Sequence, residues 1–356
     1  MTQHTKDKTL VFDWGDTLMR VFPQYSGVMA EWPEVAAVEG ADEALRMLSS
    51  RYRLVVGTNA ADSGSAQVRA ALKRVGLAKY IDQIYTYGEL GARKPSLAFF
   101  NALRACLDLD EDHVVMVGDD FRQDVIGARL AGWKAVWFNP SCRPCASLLP
   151  LHQAEISRLP ELLAALTELD LPDVTTCYAW LVEQNCTANL LQHVQGVAAA
   201  AYQMALWLRK AGESVNPVLA HRGGLLHDLA KLTARKPGSP PGHHGEAAAA
   251  ILNQRGYPDL GEIARRHLVF CLMDDTSRPL TWEQKIVYLA DKLVEGGRIV
   301  SLEERMNGFK EHYPQDGDRI HVCEPVIYKL EAEICAAMHL PAGSLPAELQ
   351  RSMREN

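Results

Sequence analysis

What this 356-residue sequence lacks narrows the field before any motif is read. It holds no run of roughly eighteen apolar residues, so no transmembrane helix is predicted. The first residues, MTQHTKDKTL, contain no apolar core of the kind a secretory signal carries, and the expectation is a cytoplasmic protein. Positive charge is in deficit, with a net charge of -7, which argues against nonspecific binding to nucleic acid or an anionic membrane. Eight cysteines occur without a framework spacing. The one close pair, Cys142 and Cys145 in "CRPC", has no second pair to complete a zinc site and reads as a loop with two free thiols. No internal repeat is evident. What is present is ample: 47% hydrophobic residues suffice for packed cores, and the length suits two domains better than one.

The first half alternates strands and helices. "TLVFD", "YRLVVGTNA", "HVVMVGDD" and "KAVWFNP" read as strands. "ADEALRMLSS", "SAQVRAALKRVGL" and "DVIGARLAG" read as helices. Continuous Val-rich runs separated by helices predict a parallel sheet covered on both faces. Ligands of such sheets bind beyond the carboxyl ends of the strands. Three runs end there in polar residues: Asp13, Thr58-Asn59 and Asp119-Asp120. Near residue 168 the pattern changes. "TELDLPDVTT" is a proline-bearing link, and the sequence beyond it is almost all helical. The expected architecture is therefore an α/β domain over 1–170 and an all-α domain over 171–340. A loosely attached tail, "PAGSLPAELQRSMREN", occupies 341–356. The link near 168–175 and the glycine- and proline-rich stretch 237–243 are the expected sites of proteolysis.

In "VFDWGDTL", residues 11–18, a carboxylate at a strand end precedes a tight turn. This is a common way to expose a nucleophile or metal ligand. "VVGTN" ends the second strand, Lys94 stands in "GARKP", and Asp119 opens "DDFRQD". In this order the segments resemble the four signatures of the haloacid dehalogenase (HAD) superfamily, over about residues 8–168. The resemblance implies a Rossmann-like domain in which Asp13 attacks phosphorus. Thr58 and Lys94 would hold the phosphoryl oxygens, with Asn59 beside the substrate. Magnesium would be held by Asp13, the Gly15 carbonyl and Asp119, with Asp120 or Asp124 behind it. Roughly forty residues between Asp13 and Thr58 are too few for a large helical cap. Gly15 departs from the family pattern, which places an acid/base carboxylate there. Loss of such a group typically lowers the rate about 10²- to 10⁴-fold. Asp16 is adjacent, but a one-residue shift in a tight turn points it elsewhere. Three readings stay open: a slow phosphatase, an enzyme for activated leaving groups, or a phosphate-binding module.

The second half carries His193 in "LLQHVQGVA", His227-Asp228 in "GLLHDLAK", His244 in "HHGEAAAAIL", His267 in "ARRHLVF" and Asp291 in "VYLADKL". A lone histidine on an apolar helix is usually a core residue. Four histidines and two aspartates on separate helical stretches exceed that explanation. Asp291 in particular would be expensive to bury without a partner, and a metal supplies one. The order His193, His227-Asp228, Asp291 resembles the HD-domain metal-dependent phosphohydrolases, over about residues 175–305. His244 and His267 match the branch of that family holding two metals. The resemblance implies one or two divalent transition ions, often iron or manganese. Cobalt, nickel and zinc also suit mixed imidazole and carboxylate ligands. Asp228 would bridge and Lys231 would reach a phosphate. Of Arg265, Arg266 and Arg278 one is expected to meet substrate charge; the sequence does not distinguish them, and Arg266 is taken as the candidate. His221 and His243 are read as non-ligands. The sum is a two-domain phosphohydrolase acting through its second half on a phosphoester or phosphoanhydride of a small molecule such as a nucleotide. Two alternatives stand beside it. The first half is a non-catalytic sensor of a phosphorylated ligand, or the whole chain is a nucleotide-binding regulatory protein.

Overall fold

The computed structural model describes residues 8–110, 113–167, 169–234 and 243–355. The stretch 237–243 lies outside the described residues except for His243. The chain divides into two compact units, residues 1–141 with 151–170 and residues 142–150 with 171–356. Residues 142–150, which the sequence assigns to the first domain, thus group with the second. Cys142 and Cys145 within them are free thiols.

The first unit is a six-stranded sheet in the order β3-β2-β1-β4-β5-β6. Its strands are β1 (Thr9–Phe12), β2 (Arg53–Thr58), β3 (Gln83–Thr86), β4 (Val114–Gly118), β5 (Lys134–Phe138) and β6 (Ala154–Ile156). Every pairing is parallel. β1 is central, with Leu10, Val11 and Phe12 fully buried. Burial on both faces explains why these runs are continuously apolar instead of alternating. Helices α1 (Ala41–Leu48), α2 (Ser65–Arg74) and α3 (Leu97–Leu107) follow β1, β2 and β3. The strand order reverses between β1 and β4, which opens a crevice at their carboxyl ends. Asp13, Thr58 and Asp119 stand at those ends. The sequence pattern did not reveal β3 and β6. Both are edge strands of three or four residues with polar members, so neither presents a long Val-rich run.

The second unit is helical apart from a two-residue ladder joining Val294–Glu295 to Arg298–Ile299. Its helices are α4 (Val174–Glu183), α5 (Ala188–Lys210), α6 (Pro217–Leu226), α7 (His243–Gln254), α8 (Pro258–Arg265), α9 (Trp282–Leu293), α10 (Leu302–His312), α11 (Gly317–Ala337) and α12 (Leu345–Glu355). Asn216 caps α6 by accepting from the Val218 and Leu219 amides, and Pro217 fills the first helical position. α5 and α6 approach closely because Gly224 has no side chain; a Cβ there would lie 2.6 Å from the Ala198 Cα. The stretch "GEIARRHLVFCLM", read as one helix, breaks. α8 stops at Arg265, and a 3₁₀ turn takes over at Val269–Met273. His267 sits in the break.

The expected loose tail is a packed helix. α12 buries Leu345 and Leu349 completely, and Ser352 bonds to Gln203 on α5 at 2.7 Å. Leucines four residues apart form one helical stripe, which is why the segment docks. Among the described residues no helix is long and apolar enough to cross a membrane.

Candidate functional site

In the first unit the Asp13 amide extends the sheet by bonding to the Val117 carbonyl at 2.9 Å, which fixes the aspartate at the strand end. Lys94 is buried and reaches two carboxylates, Asp13 at 2.5 Å and Asp124 at 2.7 Å. Burial alone would lower the pKa of this ammonium; Asp124 and Asp13 outweigh that and raise it. Asn59 holds the Lys94 backbone from both sides, donating to its carbonyl at 3.0 Å and accepting from its amide at 2.8 Å. Asn59 therefore positions Lys94. The Thr58 hydroxyl accepts from the Ala60 amide at 3.2 Å.

Asp13, Asp119 and Asp124 gather near enough to share one cation. Asp119 is pushed up to about 6, first by burial and then by the charge of Asp13. Asp124 is also raised, chiefly by burial. One ammonium among three carboxylates leaves negative charge in excess, which suits a divalent ion. Asp120 is turned away, because its carboxylate caps the following helical turn through the Arg122 and Gln123 amides. Of the two residues expected behind the ion, only Asp124 joins the cluster. Gly118 permits this, since a Cβ there would fall 2.2 Å from the Asp124 carboxylate. Asp16 is exposed, and its carboxylate accepts from the Val21 amide at 3.0 Å. It does not substitute for the carboxylate absent at Gly15.

The second unit brings six expected ligands to one point. His193 comes from α5, His227 and Asp228 from the end of α6, His244 from α7, His267 from the break after α8, and Asp291 from α9. His193 Nε2 lies 3.0 Å from Asp291 Oδ1, and His227 Nε2 lies 3.6 Å from the same oxygen. His244 and His267 each turn Nε2 toward Asp228 Oδ1, at 3.2 and 3.3 Å. The other Asp228 oxygen faces His227 at 3.4 Å. Asp228 thus stands between two half-sites, one with His193 and His227 and one with His244 and His267.

Nδ1 of His227 faces the Gly224 carbonyl at 2.8 Å, and Nδ1 of His267 faces the Ala264 carbonyl at 2.5 Å. A carbonyl only accepts, so each Nδ1 carries the proton and each Nε2 presents its lone pair inward. His227 Nε2 and Asp228 Oδ1 are buried and lack a hydrogen-bond partner. Converging donor atoms that do not satisfy one another fit a metal at the centre. The electrostatics agree. Burial lowers the His227 pKa, but Asp228 and Asp291 outweigh it and push the ring up to about 9, so it seeks a positive charge. Burial drives His267 down to about 4 and outweighs the opposing hydrogen bond to Asp228.

Lys231 pairs with Asp228 and lines the cleft. Arg266 is elsewhere: it pairs with Glu262 at 2.8 Å and holds the carbonyls of Thr276 and Arg278. It pins a loop and does not line the cleft. Arg265 pairs with the same glutamate, and Arg278 with Asp275. His221 bonds to Arg222, and exposed His243 lies at the cleft without joining the cluster. Sequence reasoning missed Lys292, which is fully buried beside Asp291, and the cleft arginines Arg305 and Arg319.

Residues 2–138 match the haloacid dehalogenase-like hydrolases, and residues 190–295 match the HD domain. The chain joins these two families. It is 30% identical over 141 residues to an uncharacterised protein of Methanocaldococcus jannaschii, covering 36% of this chain and 80% of that one. It is 42% identical over 72 residues to ribulose-1,5-bisphosphate 5-phosphatase of Halopiger xanaduensis, spanning 20% of this chain and 30% of the relative. A crystal structure of an uncharacterised protein from Listeria monocytogenes serotype 4b superposes with a TM-score of 0.40 at 28% identity. It covers 46% of this chain and 98% of the other. The chain is thus an enzyme of hydrolase families, with candidate metal-binding groups in each half.

Proposed function

We propose that the HD half hydrolyses a phosphoester or phosphoanhydride of a small molecule, a nucleotide in the reading we favour, and needs divalent transition ions to do so. The observation that carries this is the pair of buried, unsatisfied atoms, His227 Nε2 and Asp228 Oδ1, at the focus of six ligand side chains. His193, His227 and Asp291 would hold one ion, His244 and His267 a second, with Asp228 between them. When bound, such ions polarise phosphoryl oxygens and acidify water. The protein's own groups do the rest. Lys231, with its side chain 39% exposed, would meet a phosphoryl oxygen once a metal takes over Asp228. Lys292 fixes the Asp291 carboxylate from behind. The imidazoles, held by the Gly224 and Ala264 carbonyls, need no reorientation before substrate arrives.

In the HAD half Asp13 would be the nucleophile. Lys94 would hold it, Thr58 would bind the phosphoryl group, and magnesium would sit among Asp13, the Gly15 carbonyl, Asp119 and Asp124. A second reading, a module that binds a phosphorylated ligand without turning it over, is favoured by Gly15 and by the engagement of Asp16 with Val21. The test is a screen of phosphorylated metabolites with manganese or iron, run on wild type beside Asp228→Ala and Asp13→Asn. Turnover that vanishes in Asp228→Ala and persists in Asp13→Asn supports the reading. Full turnover by Asp228→Ala on every substrate sinks it.

A further inference from the structure

The HD cleft is far larger than a phosphoryl group requires. Its volume is about 900 Å³, in the range of small-molecule sites. The ligand cluster forms only one end of it, at Asp228, His244, His267 and Asp291. The outer part is walled by Phe270, three residues beyond His267, and by Phe309, Tyr313, Arg305 and Arg319. All but Phe270 lie on or beside α10 and α11, past residues 190–295 that carry the family match. These four wall residues lie outside the matched segment and outside the ligand cluster.

Its chemistry is specific. The Arg319 guanidinium lies over the Phe270 ring, 4.0 Å from the centroid, and that of Arg305 over the Phe309 ring at 4.2 Å. The two differ in access. Arg305 pairs with Glu295, and its side chain is only 14% exposed. The Arg319 side chain is 61% exposed, and its Nη1 pairs with Asp316 at 3.3 Å. A guanidinium stacked on one ring has a second flat face, and that face takes another ring by cation–π and stacking contact. The Phe270 and Phe309 rings offer a sugar hydroxyl no partner, while Asp274, Ser277, Gln315 and Asp316 supply the polar part of the lining.

We infer that the outer part of the HD cleft is a binding subsite for a planar aromatic group of the substrate, of nucleobase size, with Arg319 stacked on Phe270 as its platform. This rests on the phosphohydrolase reading of the cluster and adds to it: the ester group is selected by residues outside the HD match. The subsite predicts a preference for aromatic phosphate esters over sugar phosphates of the same linkage.

The experiment uses the full chain reconstituted with manganese, with adenosine 5′-monophosphate and ribose 5-phosphate as paired probes. They share the phosphate and the sugar and differ in the base. The expected result is at least about tenfold higher kcat/KM for the nucleotide. In Arg319→Ala and in Phe270→Leu the ratio of the two kcat/KM values should fall about fivefold or more, the upper end of the range for a cation–π contact at an exposed site. Equilibrium binding of the nucleotide, with or without turnover, is measured in parallel. If the nucleotide binds in an Arg319-dependent way but no phosphate ester is cleaved, the subsite stands and the hydrolase reading falls. If ribose 5-phosphate is cleaved as well as the nucleotide, or neither variant changes the ratio, the subsite is wrong while the hydrolase reading stands. Absence of any nucleotide binding also overturns it.

Discussion

The Lys292 ammonium, buried inside α9, bonds to the Asp291 carboxylate at 2.7 Å and to the His267 backbone carbonyl. One side chain thereby ties the helix carrying Asp291 to the break carrying His267, beside the Tyr288 hydroxyl, which donates to the Val269 carbonyl at 2.8 Å. It leaves Asp291 Oδ1 free to face His193 and His227. Lys292→Met keeps the length of the side chain and removes the tie. Groups that orient metal ligands typically contribute 10- to 100-fold to affinity, so manganese affinity should fall by about that factor in a direct titration. The melting temperature of the metal-free protein serves as control. If Lys292→Met binds metal within about twofold of wild type, the lysine is only filling space.

Glu331 provides a pH-dependent prediction away from both clusters. It lies on α11, 4% exposed, and burial raises its pKa above the usual 4.5. A carboxyl whose folded pKa is raised favours the fold fully below its unfolded value, and that advantage is lost as pH rises through the folded value. Glu331→Gln mimics the protonated form at every pH. It should raise the melting temperature on the order of 2 °C at pH 8 and leave it unchanged at pH 4. A loss of stability at pH 8 would show that the carboxylate has a stabilising role.

Much of the second site was legible because its chemistry leaves a mark in sequence. An adjacent His227-Asp228 and a charged Asp291 within apolar stretches need explanation in a way that surface charges do not. The HAD strands were legible for a related reason, since two-sided burial of β1, β2, β4 and β5 demands unbroken apolar runs. Legibility failed where a residue's role depends on tertiary neighbours. Lys292 reads as an ordinary amphipathic-helix lysine until α9 is seen to bury it.

Arg266 illustrates a signal that was present and outweighed. Glu262 stands three and four residues before Arg265 and Arg266, the spacing of a helical ion pair. That local pairing is what the fold adopts. Likewise Asp120, followed three residues on by Gln123, carries the mark of a helix N-cap, a role that occupies its carboxylate and leaves Asp124 for the cluster. Arg305 and Arg319 could not be connected to the cleft from sequence, because only the return of α10 and α11 against Phe270 brings them there.

Gly15 permits a direct gain-of-function test. A Cβ at this position meets only the Val21 Cγ2 at 3.1 Å, and Val21 is an exposed side chain able to yield. Gly15→Asp should therefore fold. It should be made in an Asp228→Ala background so that the HD half contributes no turnover. With magnesium and an aryl phosphate, turnover should rise at least about tenfold and at most by the roughly 10⁴ typical of a general acid/base. Unchanged turnover that Asp13→Asn abolishes would mean that the wild-type site already has an acid or needs none.

The half-sites around Asp228 make the sharpest prediction, because they separate the number of ions from the presence of activity. His244→Ala removes a ligand from one half-site and leaves His193, His227 and Asp291 around the other. Asp228→Ala removes the carboxylate that both halves share. If two ions bind, elemental analysis should find about two metals per chain in wild type, about one in His244→Ala and none retained in Asp228→Ala. Metal binds the folded form, so the melting temperature should rise with added manganese, most in wild type and least in Asp228→Ala. Turnover should track the second ion, falling nearly as far in His244→Ala as in Asp228→Ala if both ions act on the same phosphoryl group. The drop should appear in kcat more than in KM, because the ions stabilise charge that develops in the transition state. Should His244→Ala keep both its metal count and its kcat, then His244 is no ligand. The 3.2 Å approach of its Nε2 to Asp228 Oδ1 would then be a charge contact with no ion to share.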